Sequence, residues 1–294
     1  MGYAFMANSV VAETPTPNRD QVEHWERYGA HWVAEVDRYD AMTAAFGDRM
    51  LEKAALQPAE RVIDVGCGAG ATAFESARHA RPGGTVLGVD ISPPMLALAR
   101  ERAKAAGADD VEFVRADAQV HDFGAGRWDT VVSRFGVMFF DDPVGAFANL
   151  ARALRAGGRL AFAAWQGLEA SEWIMAPGAP AAAHIGMPEG VEPNSPGPFG
   201  LADADRTVEI LERAGYDRIA IDETTQPMRI GDDVDDALAF FESVPFVRDV
   251  VADAPPDRVA AALEAAREAL VPYAGPEGVV MNDNRAWLVT ARRP

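Results

Sequence analysis

The 294-residue chain has a single cysteine, Cys67, and only two lysines, Lys53 and Lys104. One thiol excludes an internal disulfide and any cysteine-based metal cluster, and it fits a cytoplasmic setting. Basic charge is scarce: 27 Lys and Arg stand against 45 Asp and Glu, a formal net charge of −18, with no basic run. That balance argues against nucleic acid as a partner, because phosphate binding rests on clustered Lys and Arg. No apolar stretch approaches the roughly 20 residues needed to cross a bilayer, so no membrane partner is expected. The opening MGYAFMANSVVAETPTP lacks the basic start and apolar run of a secretory signal and reads as a tail. Arginine and alanine in place of lysine are the bias of a GC-rich genome and point to a bacterial source.

Against these absences, 49% of the residues are hydrophobic, enough for a sizeable core. A helical pattern runs from Val22 to about Leu56, rich in aromatics at first. A regular alternation follows: strand 61–66, a helix closing at Gly83-Gly84, strand 85–90, and a helix started by Ser92-Pro93 and ended by Gly107. Then come strands at 111–117 and 128–135, a helix from Asp142-Pro143 to Gly157-Gly158, and strand 159–165. Strands alternating with helices imply an α/β fold with a mostly parallel sheet covered on both faces. The region 175–200, with six prolines and five glycines, reads as a loop. After it come a helix at 204–215, a sixth strand at 218–224, helices around 233–251 and 256–270, and a last strand at 286–292. The expected organisation is a tail and cap helix (1–36), a core (37–226), a helical insertion covering the substrate (227–283) and a final core strand (284–294).

VIDVGCGAGAT, residues 62–72, is a buried-looking strand running into three glycines in five residues and then a helix. Gly66-x-Gly68-x-x-Ala71 satisfies the dinucleotide fingerprint, and Asp90 stands where a ribose-binding acid would, so NAD is an open alternative. Asp64 speaks against it. Two residues before the first glycine, a fixed carboxylate repels a pyrophosphate and favours a cation. With Asp90 and Asp117 it makes three acids at successive strand ends, an anionic rim suited to a cationic, phosphate-free ligand such as S-adenosylmethionine.

VIDVGCGAGAT, VLGVDISPPML, VRADAQ, WDTVVSRFGVMFF and LRAGGRLAFAAW, in this order over about 60–165, resemble the successive motifs of class I S-adenosylmethionine-dependent methyltransferases. The small-molecule branch with the ubiquinone and menaquinone C-methyltransferases is the nearest in pattern. The resemblance implies a Rossmann-like, seven-stranded sheet whose last strand is antiparallel. It also implies roles: Gly66, Gly68 and Gly70 let the backbone approach the methionine part, and Asp64 orients its amino group through water or backbone. Asp90 takes both ribose hydroxyls, Ile91 lies against the adenine, Asp117 and Ala118 read its amino edge, and Ser133 and Arg134 close the methionine end.

Methyl transfer from a sulfonium needs mainly an acceptor held in line at roughly 3 to 3.5 Å. An acceptor that loses a proton also needs a base. His24, Tyr28 and His31 share a helical face and are the catalytic candidates, with Trp25 and Trp32 beside them as substrate contacts. An aromatic face packed on the core is the competing explanation of the same cluster. Phe135, Met138 and Phe139 offer further apolar wall or, equally, core. No Asn-Pro-Pro-Tyr signature marks nitrogen methylation of amides or bases, a single cysteine gives no support for arsenic methylation, and no acid cluster for a metal can be singled out. The expected function is methyl transfer to a small, mostly apolar metabolite at carbon, oxygen or nitrogen. The alternatives are an S-adenosylmethionine-binding protein that transfers nothing and an NAD-dependent oxidoreductase. The oligomeric state is not legible.

Overall fold

The structure is a computed structural model that describes residues 18–186 and 194–294. The tail reading of 1–17 and part of the proline-glycine region, 187–193, lie outside these residues. Where one long N-terminal helix is expected, there are two: α1 (Arg19–Ala34) and α2 (Val36–Ala54), separated at Glu35. In α2, Tyr39, Met42, Phe46 and Met50 are buried at spacings of three and four, the apolar stripe of a helix packed on a core. Each such side chain contributes roughly 1.5 to 3 kcal/mol by burial.

The alternation then appears as β1 (Arg61–Val65), α3 (Ala71–Ala80), β2 (Thr85–Asp90), α4 (Pro93–Ala106), β3 (Val111–Arg115), β4 (Trp128–Arg134), α5 (Pro143–Ala153) and β5 (Leu154–Trp165). The second half comprises α6 (Glu172–Ile185), α7 (Ala204–Arg213), β6 (Asp217–Gly231), α8 (Val234–Ser243), α9 (Pro245–Ala252), α10 (Pro256–Leu270), the two-residue β7 (Ala274–Gly275) and β8 (Gly278–Arg292). The sheet order is β3-β2-β1-β4-β5-β8-β6, with β7 on β8; β1 to β5 are parallel and β8 is antiparallel to both neighbours. This is the expected Rossmann-like α/β sheet. β1 lies at its centre with four consecutive buried residues, as a strand covered on both faces requires. The order reverses between β1 and β4, so the ligand crevice falls at their carboxyl ends.

Several local expectations need correcting. Met175 to Ile185 is not loop but the body of α6, which accommodates Pro177 and Pro180 within an alanine-rich helix. Ser92 does not cap α4: its hydroxyl makes no cap bond and is buried without a partner. β6 and β8 are 15 residues each, much longer than the strands read at 218–224 and 286–292. Their pairing shifts register between Gln226 and Met228, placing Pro227 at a bulge where its missing N–H costs no ladder bond. The bulged amides of Asn282 and Asp283 donate to Glu172 Oε2 at 2.7 and 2.8 Å, which ties the start of α6 to the β6–β8 pair.

Candidate active site

β1 delivers Asp64 to the crevice. Parallel pairing sets it beside Gly88 of β2 and Val132 of β4, so Asp90 and Arg134, each two residues further along, point to the same face of the sheet. Asp64 is fully buried, and neither carboxylate oxygen has a hydrogen-bond partner among the described residues. Burial pushes its pKa up to about 8; Arg134 pulls it down and Asp90 pushes it further up. An uncompensated buried carboxylate is costly, and such groups persist where a ligand satisfies them.

The glycine turn is internally bonded. The amides of Gly66 and Cys67 donate to the Val89 carbonyl at 2.9 and 3.1 Å, Gly70 donates to Cys67 O, and Gly68 donates to Asp90 Oδ2 at 2.8 Å. These amides are thus spent within the turn, which leaves them unavailable to cradle a pyrophosphate. Together with the bare Asp64 carboxylate, this disfavours a dinucleotide at the turn. Gly66 has φ 67°, and a Cβ there would lie 2.6 Å from Gly136 Cα, so the two glycines let β1 and β4 cross backbone to backbone. Gly136 was not among the residues singled out from the sequence, and no motif marks it; only the crossing does. Gly70, by contrast, faces Phe113 and Phe74 and starts α3.

Asp90 accepts from Gly68 N and, through Oδ1, from Ser92 N at 2.8 Å. Burial raises its pKa, and these amides hold it back. Each oxygen keeps one lone pair for a hydroxyl. Ile91 follows, half-buried, and Gly29 of α1 closes on the same segment so tightly that a Cβ would meet Ser92 Oγ at 2.7 Å. Asp117 Oδ1 accepts from Gln119 N and Asn18 Nδ2, whereas its Oδ2 is buried and unpartnered. Ala118 is buried in the core, its carbonyl held by Asn149.

Arg134 and Ser133 part company. Arg134 turns to Asp64's face and bonds Asp40 Oδ1 at 2.8 Å, while Arg102 of α4 bonds the other oxygen, so α2 is pinned over the crevice. Ser133 points to the opposite face, where its hydroxyl donates to Val65 O at 2.8 Å and accepts from Gly136 N. It staples the glycine crossing and has no free donor for a ligand.

The N-terminal cluster divides between two faces of α1. Trp25, Gly29 and Trp32 turn inward: Trp25 meets Phe139 at 5.3 Å and Trp32, and Trp32 stacks on Tyr39 at 3.8 Å, which in turn meets Phe240 of α8. His24 and Tyr28 do not reach the crevice; His24 is exposed, and the Tyr28 hydroxyl donates to Asp249 of α9 at 2.6 Å. His31 is the one that reaches inward, with Nε2 3.1 Å from the Tyr39 hydroxyl. Burial is the main cause of its lowered pKa, with Arg248 adding and Glu35 opposing. Phe135 stacks on Trp165 at 3.9 Å and holds φ 63°, a conformation unfavourable by roughly 1 to 2 kcal/mol for a side chain of its size. Met138 belongs to the core, its sulfur accepting from Trp165 N. Tyr39 and Asp40 belong to no motif and lie within the helical pattern that runs from Val22 to about Leu56.

Residues 62–158 match the family model described as a methyltransferase domain. The matched stretch, about a third of the chain, is thus methyltransferase-like, and methyltransferases of this kind use S-adenosylmethionine as cofactor. It is 37% identical over 128 residues to aklanonic acid methyltransferase DauC of Streptomyces sp. (strain C5), covering 42% of this chain and 58% of that protein. It is 42% identical over 113 residues to demethylmenaquinone methyltransferase of Thermus thermophilus, covering 38% of this chain and 49% of that one. The chain thus spans about half the length of these curated relatives. Among solved structures it shares its fold with phosphoethanolamine N-methyltransferase 2 of Haemonchus contortus, at a TM-score of 0.59 and 18% identity over 95% of this chain and 61% of the other. No helix among the described residues is long and apolar enough to cross a membrane.

The unpartnered oxygens of Asp64 and Asp117 fit the ammonium and amino groups of that cofactor, and the free lone pairs of Asp90 fit its ribose. Asp90→Ala is expected to weaken S-adenosylmethionine binding at least tenfold, about 1.4 kcal/mol, as loss of a charged hydrogen-bond pair does. Calorimetry showing unchanged affinity would remove Asp90 from the site.

Proposed function

We propose that the chain transfers a methyl group from S-adenosylmethionine to a small, mostly apolar acceptor. The observation that carries this reading is the bare, buried Asp64 carboxylate beneath a turn in which the Gly66, Cys67, Gly68 and Gly70 amides are bonded internally, an environment that favours a cation over a phosphate. The acceptor class is supported by the wall of Trp25, Trp32, Tyr39 and Phe139, which α1 and α2 place against the turn after β4. When bound, the cofactor supplies an already activated methyl carbon on a positive sulfur. The acids hold the donor, the aromatic wall orients the acceptor and excludes water, and His31, bonded to Tyr39, takes the proton released as the new bond forms. The carbon–sulfur electron pair stays on sulfur, so charge and atoms balance without a further reactant.

The test is a transfer assay with methyl-labelled S-adenosylmethionine, purified protein and a small-molecule extract of bacterial cells, with organic-soluble and protein-bound label counted separately. Protein-dependent label in the organic fraction is the expected result. Label confined to protein, or cofactor binding with no transfer to either fraction from any extract, would contradict the proposal and favour a binding protein that keeps the same pocket.

A further inference from the structure

Asn18 immediately precedes α1 in a left-handed backbone conformation, φ 54° and ψ 23°. Asparagine at a helix start normally turns its side chain back to cap the first amides. Here it makes no such bond. Its carboxamide instead reaches across the sheet edge: Nδ2 donates to Asp117 Oδ1 at 2.8 Å, and Oδ1 accepts from the Asp141 amide at 2.8 Å. The residue is 6% exposed although it begins the helix.

The consequence falls on Asp117. Its Oδ1 is held from two sides, by Asn18 Nδ2 and by Gln119 N at 2.9 Å. Its Oδ2 is buried with no partner among the described residues. A carboxylate fixed through one oxygen presents the other in a single direction, as recognition of an amino edge demands. We infer that Asn18 is a positioning residue that clamps Asp117, so that its free oxygen selects a 6-amino purine. The inference rests on reading Asp117 as the acceptor for the adenine amino group.

Calorimetric titration with S-adenosylhomocysteine and S-inosylhomocysteine, which carries a carbonyl in place of the amino group, separates the two ideas. The wild type is expected to prefer the adenosine compound by roughly 30-fold or more, the scale of a charged hydrogen bond. Asn18→Gly keeps the left-handed backbone while removing the carboxamide, and it is expected to cut that preference about fivefold or more. Glu26→Gln loosens α1 at its 2.6 Å bridge to Arg115 without touching Asp117, and the preference is expected to hold. If Asn18→Gly weakens both ligands by one factor, or if Glu26→Gln lowers the preference equally, Asn18 is only a tether and the inference is overturned. If the wild type shows no preference, or Asp117→Asn leaves it intact, the reading of Asp117 falls first and the inference with it.

Discussion

Asp64→Asn is expected to lose S-adenosylmethionine affinity by about 100-fold or more, the scale of a buried charged hydrogen bond, while gaining stability in alkaline solution. The two effects share one cause. In the folded chain the Asp64 carboxyl ionises near 8, whereas in the unfolded chain it ionises near 3.9. Between those values the unfolded chain has given up a proton that the folded chain keeps, so the contribution of this group to stability is complete below pH 4 and declines as pH rises toward 8. The ceiling on that decline is on the order of 5 kcal/mol. Asparagine does not titrate, so the difference in denaturant midpoint between the two proteins should move in the variant's favour as pH rises from 5 to 8. Parallel curves at the two pH values, or unchanged affinity, would show that Asp64 has a partner and is not the cation's seat.

Gly136→Ala should produce the largest loss of stability, about 3 kcal/mol, the upper part of the range for overpacking. A Cβ at this position would lie 2.5 Å from Val65 O and 2.7 Å from Gly66 Cα, both backbone atoms at the centre of the sheet, where neither side can yield cheaply. Gly178→Ala is the control of opposite sign: it lies in α6 with nothing within 4 Å of the added carbon, and should stabilise by roughly 0.5 to 1 kcal/mol through helix propensity. Urea unfolding of the three proteins checks both. A Gly136→Ala change within about 0.5 kcal/mol of wild type, the range of an ordinary surface substitution, would mean that the β1–β4 crossing is loose.

The legible part of the molecule was the part in which one residue type answers one local demand. β1 and β2 end in glycines and acids because the turns after them need left-handed backbone and a fixed acceptor, and Asp142-Pro143 opens α5 with the expected cap, its carboxylate accepting from Gly145 N at 3.0 Å. Asp64, Asp90 and Asp117 were found because a carboxylate at a strand end is visible in a string. What could not be read depended on partners distant in sequence. Pro227 and Asn282-Asp283 look like turn residues, yet they face each other at one bulge of the long β6–β8 pair, the second satisfied by Glu172. Ser133 stands next to Arg134, but strand alternation sends its hydroxyl to Val65 on the other face. His24, Tyr28 and His31 share a helical face, and only tertiary packing decides that the first two meet solvent and α9 while His31 meets Tyr39.

The aromatic wall and the acid rim meet because α2 is anchored by Asp40 between Arg134 and Arg102. That arrangement joins the proposed donor site and the proposed acceptor wall through one helix. Closure over the cofactor and assembly of the acceptor wall are therefore expected to occur together.

The central claim is that the glycine turn holds a cation over Asp64. Calorimetric titration of the wild type with S-adenosylmethionine at pH 7, in two buffers of different ionisation enthalpy, tests it directly, with NADH titrated in parallel. The account predicts saturable binding of S-adenosylmethionine with release of about one proton, as a carboxyl ionising near 8 gives up its hydrogen to face the ammonium, and no binding of NADH. Saturable NADH binding, or S-adenosylmethionine binding with the same heat in both buffers, would contradict it.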